Sequence, residues 1–178
     1  TGDMLVFLFK TVAPGKELLA KVKSKVKNRR VVYILDADKI TDTIPPSVKP
    51  FLKSTRRFPA DDSLVKRKLK KAAGNEKNRF YRFIRIYDYI RALKFQLSKK
   101  PQTVKDVLKT GVCQCSDASD LMVTMCRSAG IPARYVGGIY MTIGTDNTED
   151  THAWVEVYFH PYGWIPADPT MGRFNYFT

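Results

Sequence analysis

Apolar residues follow two different periods along this chain. Between Asp62 and Ala129 they recur every three to four residues, and beyond Ala133 they alternate with polar ones. The first period predicts helices at about Asp62–Ala73 and Asn78–Leu97, with a short one at Thr103–Lys109. A further helix opens at Cys115, where Ala118, Leu121, Met122, Met125 and Ala129 recur at helical spacing and Gly130 with Pro132 supplies the stop. The second period predicts strands at Ala133–Thr142, Thr151–Phe159 and Trp164–Asp168, the last two joined by a turn at Pro161-Tyr162-Gly163. Ahead of these lie a strand Met4–Lys10, a helix Gly15–Lys27 and a strand Arg30–Asp36. A Pro-rich connection over Ile44–Asp62 follows, with a short helix at Ser47–Lys53.

Helices followed by an antiparallel sheet indicate an α+β fold. At 178 residues the chain is long enough for one domain with its own core. The expected division is an N-terminal β-α-β arm or extension over 1–43 and a catalytic domain over 44–178. No internal repeat or low-complexity tract interrupts it, and no apolar run is long enough to span a bilayer. No leader-like segment opens the chain, which reads as a mature form or an excised domain.

The candidate chemistry is a thiol, an imidazole and a carboxylate in chain order: Cys115, His152 and Asp168. These are the groups a cysteine acyl-transfer enzyme needs: one attacks, one moves the proton, one orients the base. Cys115 falls in the first turn of its helix, where unpaired backbone N–H groups and the helix dipole favour a thiolate and offer donors to an oxyanion. The competing reading is a small buried hydrophobe. His152 shares a strand face with Trp154, Glu156 and Tyr158, while Ala153, Val155, Val157 and Phe159 form the apolar face. If Asp168 pairs opposite Trp154, it lies diagonal to His152, roughly 7–8 Å away at the backbone. A register shifted by one would turn the carboxylate to the wrong face. Gln114, beside the nucleophile, reads as an oxyanion helper or as an exposed loop glutamine.

Two stretches carry a resemblance. Cys115-Ser116-Asp117-Ala118-Ser119-Asp120-Leu121-Met122 leads to Arg127-Ser128-Ala129-Gly130-Ile131-Pro132-Ala133-Arg134, and His152-Ala153-Trp154 leads to Gly163-Trp164-Ile165-Pro166-Ala167-Asp168-Pro169-Thr170. Together they resemble the transglutaminase-like superfamily, strongly over about Gly111 to Arg173 and more weakly back to about Ile44. The resemblance implies a papain-like fold, with nucleophile, base and orienting acid carried onto Cys115, His152 and Asp168. One local feature departs from it. The family's usual glycine lead-in here precedes Cys113, so Cys113 competes with Cys115 for the role, whereas spacing to Arg127 and Gly130 favours Cys115. Cys126, among Met122 and Met125, reads as core.

Cys-Gln-Cys is too close for a structural zinc site and no second pair exists, so neither metal nor cofactor is expected. Three cysteines with these spacings pair badly, which leans toward reduced thiols and a cytoplasmic setting.

The net charge of +14 concentrates between Lys21 and Lys109. Phe80-Tyr81-Arg82-Phe83-Ile84-Arg85-Ile86-Tyr87 mimics a nucleic-acid surface, yet at helical spacing Phe80, Phe83, Ile84, Tyr87 and Ile90 form a core stripe. The expected partners are a protein or peptide substrate and an anionic surface, membrane or cell-wall polymer, with Lys53–Arg57 as part of the patch; nucleic acid is not expected. The expected reaction is cleavage of peptide or isopeptide amide bonds through a thioester. The alternatives are a cross-linking transglutaminase using an amine acceptor and a non-catalytic basic binding module. Asp146, Glu149 and Asp150 lack the spacing of a calcium loop and read as a hairpin tip.

Overall fold

Three of the described α-helices begin where a side chain satisfies their first N–H groups. In the computed structural model, which describes Gly15 and residues 31–98, 100–139, 151–174 and 176–177, Asp62 accepts from Leu64 and Val65 at the start of α1 (Ser63–Ala73). Asn78 does the same for α2 (Arg79–Arg91), and Thr103 forms a capping box with Asp106 ahead of α3 (Val104–Thr110). The central helix α4 (Cys115–Ser128) is secured by the Asp117 carboxylate reaching back to the Gln114 N–H.

Among the described residues the strands are β1 (Val31–Val32), β2 (Lys94–Phe95), β3 (Val112–Cys113), β4 (Ala133–Ile139), β5 (Thr151–Phe159), β6 (Gly163–Asp168), β7 (Arg173–Phe174) and β8 (Tyr176–Phe177). The main sheet runs β4-β5-β6-β7, antiparallel throughout. β2 and β3 form a short parallel pair, and β1 pairs with β8. Helices on one side and an antiparallel sheet on the other make the α+β arrangement of a papain-like core.

The α4 stripe predicted from periodicity understates the burial. Val123, Thr124 and Cys126 are as inaccessible as Leu121, Met122 and Met125, so the helix is covered nearly all round by α1, α2, α3 and the sheet. The alternation in β5 is borne out: Ala153, Val155, Val157 and Phe159 are buried against the helices, and the residues between them are half-buried. The opposite sheet face is covered by the 3-10 turn Lys49–Leu52, whose Phe51 meets Trp164 edge-on at 4.9 Å.

Three expectations need correction. Among the described residues the strand expected over Arg30–Asp36 is only Val31–Val32, the two residues that find partners in β8, and residues 33–36 run on without pairing. The helix predicted over Asn78–Leu97 ends at Arg91, because Lys94 and Phe95 leave it to pair with Val112 and Cys113. The helix expected at Ser47–Lys53 is a single 3-10 turn. The arginines of α2 are structural: Arg82 donates to the carbonyls of Glu76, Lys77 and Ala129, and Arg85 donates to Ala73 and pairs with Glu76. In the linker, Arg57 pairs with Asp120 and lies over the Tyr135 ring at 4.1 Å.

The described part of the expected N-terminal arm is stitched to the remainder. Tyr33, Leu35 and Ile40 pack on the core, the Tyr162 hydroxyl accepts from the Asp36 N–H, and Thr41 bridges to His160. The strand Met4–Lys10, most of the helix Gly15–Lys27, the end of the Ala133–Thr142 strand and the acidic cluster Asp146, Glu149 and Asp150 lie outside the described residues.

Candidate active site

Topology brings three chain segments to one end of the sheet. Gly130 adopts φ +75°, a left-handed conformation that ends α4 and turns the chain back through Ile131 and Pro132 into β4. α4 has 14 residues, about 21 Å of helix. β4 has 7, about 23 Å of strand, so its far end returns to the level where α4 began. There Ile139 pairs with Thr151 and Gly138 with His152. β6 runs antiparallel to β5 and finishes at the same end with Asp168. The register, with Val155 opposite Ala167, sets Asp168 in frame opposite Trp154.

Cys115 is the first residue of α4 and is half-buried. Its N–H belongs to the first turn, whose donors have no intrahelical acceptor. His152 Nε2 lies 2.5 Å from Asp168 Oδ2. The second carboxylate oxygen accepts from the Thr170 N–H and hydroxyl and from the Met171 N–H, at 3.0, 2.8 and 3.0 Å. Asp168 is 2% exposed. A buried carboxylate needs such donors, and here they fix the one oxygen so that the other is aimed at the imidazole. In the tautomer whose Nε2–H donates to Asp168, Nδ1 is the acceptor nitrogen of the ring. Tyr87, reaching in from α2, donates to the Asp168 carbonyl at 3.3 Å.

Trp154 stacks beside the His152 ring, centroids 6.3 Å apart. A methyl on Gly138 would lie 2.6 Å from the Trp154 ring, so glycine is what lets the indole lie across the neighbouring strand. Gln114 accepts from the Ser98 N–H at 3.2 Å through Oε1, which leaves its amide nitrogen as the free end. Beneath it, Asp117 is buried and accepts from the N–H groups of Gln102 and Gln114 and the Ser116 hydroxyl.

The three thiols differ. Burial, with the Asp117 charge adding to it, pushes the Cys113 thiol up to about 11. Cys126 is fully buried and is also pushed upward by desolvation. Cys113 lies in β3, paired to Phe95, with 3% exposure. Cys115 is the thiol at the helix start.

Residue chemistry and the motifs singled out Cys115, His152 and Asp168 as candidates, of which the structure pairs His152 with Asp168; periodicity had no means of finding Tyr87, which is distant in sequence and read as core. Thr170 and Trp154 stood inside the quoted motifs without a role. The chain's other histidine, His160, is half-buried, and its Nδ1 lies 3.0 Å from the Thr41 hydroxyl.

The fold has known counterparts. A candidate cysteine protease from Cytophaga hutchinsonii superimposes with a TM-score of 0.65 at 23% identity, covering 80% of this chain and 49% of that one. The periplasmic domain of TgpA from Pseudomonas aeruginosa does so with a TM-score of 0.60 at 22% identity, covering 74% and 49%. In sequence, the uncharacterized protein YebA of Bacillus subtilis (strain 168) is 39% identical over 80 residues, which is 39% of this chain and 11% of YebA. The chain thus spans a small part of YebA and about half of each solved structure. The sequence model of the transglutaminase-like superfamily matches residues 66–169, and the chain belongs to that superfamily.

Proposed function

We propose that this chain is a cysteine-dependent acyl-transfer enzyme that cleaves peptide or isopeptide amide bonds through a thioester. One observation carries the reading: the His152–Asp168 pair, closed at 2.5 Å, stands at the end of the sheet where α4 begins with Cys115. In this reading Cys115 gives its proton to His152 Nδ1 and its sulfur bonds to the amide carbon. The carbonyl π electrons move to oxygen, where the Cys115 N–H and the Gln114 amide nitrogen stabilise the charge. As the oxyanion collapses the C–N bond breaks, and the imidazolium proton goes to the departing amine. Water then attacks the thioester, giving a proton to Nδ1 that passes to sulfur as the carboxylic acid leaves.

The basic excess supports a second element of the proposal, attraction to an anionic surface. α1 turns Lys66, Arg67, Lys70 and Lys71 outward in two adjacent rows with no acidic residue among them.

The test has two parts. Iodoacetamide at neutral pH with peptide mapping is expected to label Cys115 ahead of Cys113 and Cys126. A peptide panel, with and without added primary amine, is expected to give hydrolysis. Amine incorporation would make the protein a transglutaminase, and an unreactive Cys115 with no turnover would make it a binding module.

A further inference from the structure

Where α1 and α4 end beside the start of α2, a groove of about 630 Å³ opens. Two helix C-termini converge there, and bare terminal carbonyls repel an anion. Both ends are covered: Arg85 donates to the Ala73 carbonyl and Arg82 to the Ala129 carbonyl, each at 3.0 Å. Glu76, the acid lining the groove, is itself paired with Arg85 at 2.9 Å and accepts from the Asn78 N–H. Lys66, Lys70 and Lys77 line the same groove and are exposed. Lys70 donates to the Asn75 side-chain oxygen, but none of the three has a carboxylate partner among the described residues. Ser128 also lines the groove, and its buried hydroxyl has no hydrogen-bond partner among the described residues. Rotation about χ1 lets such a hydroxyl meet a ligand oxygen.

The donors that stay available are of one kind. Arg82 directs Nε, Nη1 and Nη2 to the carbonyls of Glu76, Ala129 and Lys77, so its fork is not open to chelate a carboxylate. Three ammonium groups remain, point charges that suit the several oxygens of a phosphate. We propose that this groove binds a phosphate group. The inference deepens the anionic-surface element of the proposed function and rests on it, and it is independent of the reading of Cys115. Ser128 closes α4 and Cys115 opens it, so the 14 residues of that helix, about 21 Å, separate the groove from the thiol. A phosphate carried on a surface therefore holds the protein by the end of α4 opposite Cys115 and leaves the thiol uncovered.

Two probes test this on the full chain. Co-sedimentation with phosphatidylcholine vesicles containing phosphatidylglycerol reads a lipid phosphate, and calorimetry with glycerol phosphate reads a free one. Lys70→Gln combined with Lys77→Gln is expected to weaken binding of both about tenfold or more. Arg67→Gln combined with Lys71→Gln removes the same charge from positions outside the groove and is expected to change either by less than about threefold. All four side chains are exposed, so thermal melting should not move. Glycerol phosphate should displace the vesicles, whereas acetate at the same ionic strength should not. Glycerol phosphate binding without vesicle binding assigns the groove to a soluble phosphate. Equal losses from the two double substitutions would overturn the groove and leave diffuse attraction standing. Displacement by acetate as strong as by glycerol phosphate would overturn the phosphate assignment, and failure of both probes would overturn the anionic-surface reading as well. Iodoacetamide should label Cys115 as fast on vesicles as in solution; protection of the thiol would overturn the orientation.

Discussion

His152 and His160 stand at opposite ends of the same hairpin strand, and their surroundings separate chemistry from architecture. At the first end, His152 faces a buried carboxylate whose other oxygen is held by three donors. At the second, His160 meets the hydroxyl of Thr41, and the Thr41 N–H donates to the His160 carbonyl at 3.0 Å. Arg79 and Tyr162 complete that end by holding Thr41, Asp42 and Asp36. One end pairs an imidazole with a buried carboxylate, and the other fastens the segment 31–43 to the sheet. The residue type alone does not distinguish them; the neighbour of the imidazole does.

The largest effect that breaks this contrast is loss of the thiol. Cys115→Ala is expected to lower turnover of a cleaved peptide at least ~10⁴-fold and to remove the fast iodoacetamide adduct, as removal of a nucleophile does in triad enzymes. Next comes His152→Ala, with an expected loss of roughly 10²- to 10⁴-fold in kcat. His160→Ala is the control for it: turnover should stay within about twofold, while chemical denaturation should show a loss of about 1 kcal/mol from the Thr41 bond. Equal effects of the two substitutions on kcat would dissolve the distinction between the ends.

Smaller effects sharpen it. Gly138→Ala forces the Trp154 ring aside by a few tenths of an ångström or more, and a drop of about tenfold in kcat is expected from the disturbed His152 stack. The smallest concerns the neighbouring thiol. With its pKa pushed up to about 11, Cys113 is overwhelmingly protonated at neutral pH. Its alkylation should become appreciable only as pH rises toward that value, and Cys113→Ala should leave turnover largely intact. Mass mapping of alkylation against pH checks both; rapid labelling of Cys113 at neutral pH would hand it the role of nucleophile.

Much of the site is local in origin and therefore visible in the sequence. The helix start at Cys115 is marked by the apolar spacing that follows it, and the faces of β5 and β6 by their alternation. Those two patterns fix the direction of each side chain relative to its own element, because side chains repeat at fixed angles along helices and strands. The family motifs added order and spacing. Periodicity was silent where a side chain's fate depended on distant chain. The apolar run after Tyr87 invited a longer helix, but parallel pairing with Val112 and Cys113 drew Lys94 and Phe95 into a strand. Tyr87 itself reads as one more aromatic in a core stripe until β6 is docked against α2.

The sequence by itself therefore determined most of the elements, their buried faces and the candidate reactive groups, since these follow from local periodicity and residue chemistry. Tertiary structure decided the rest. It set the Asp168 oxygen on the His152 ring, buried Cys113 while leaving Cys115 half-open, and made His160 an anchor for Thr41. The physical reason is that pairing register, desolvation and the identity of a polar group's partner are properties of contacts between segments far apart in the chain. Nothing in the local pattern of either segment encodes them until both are packed.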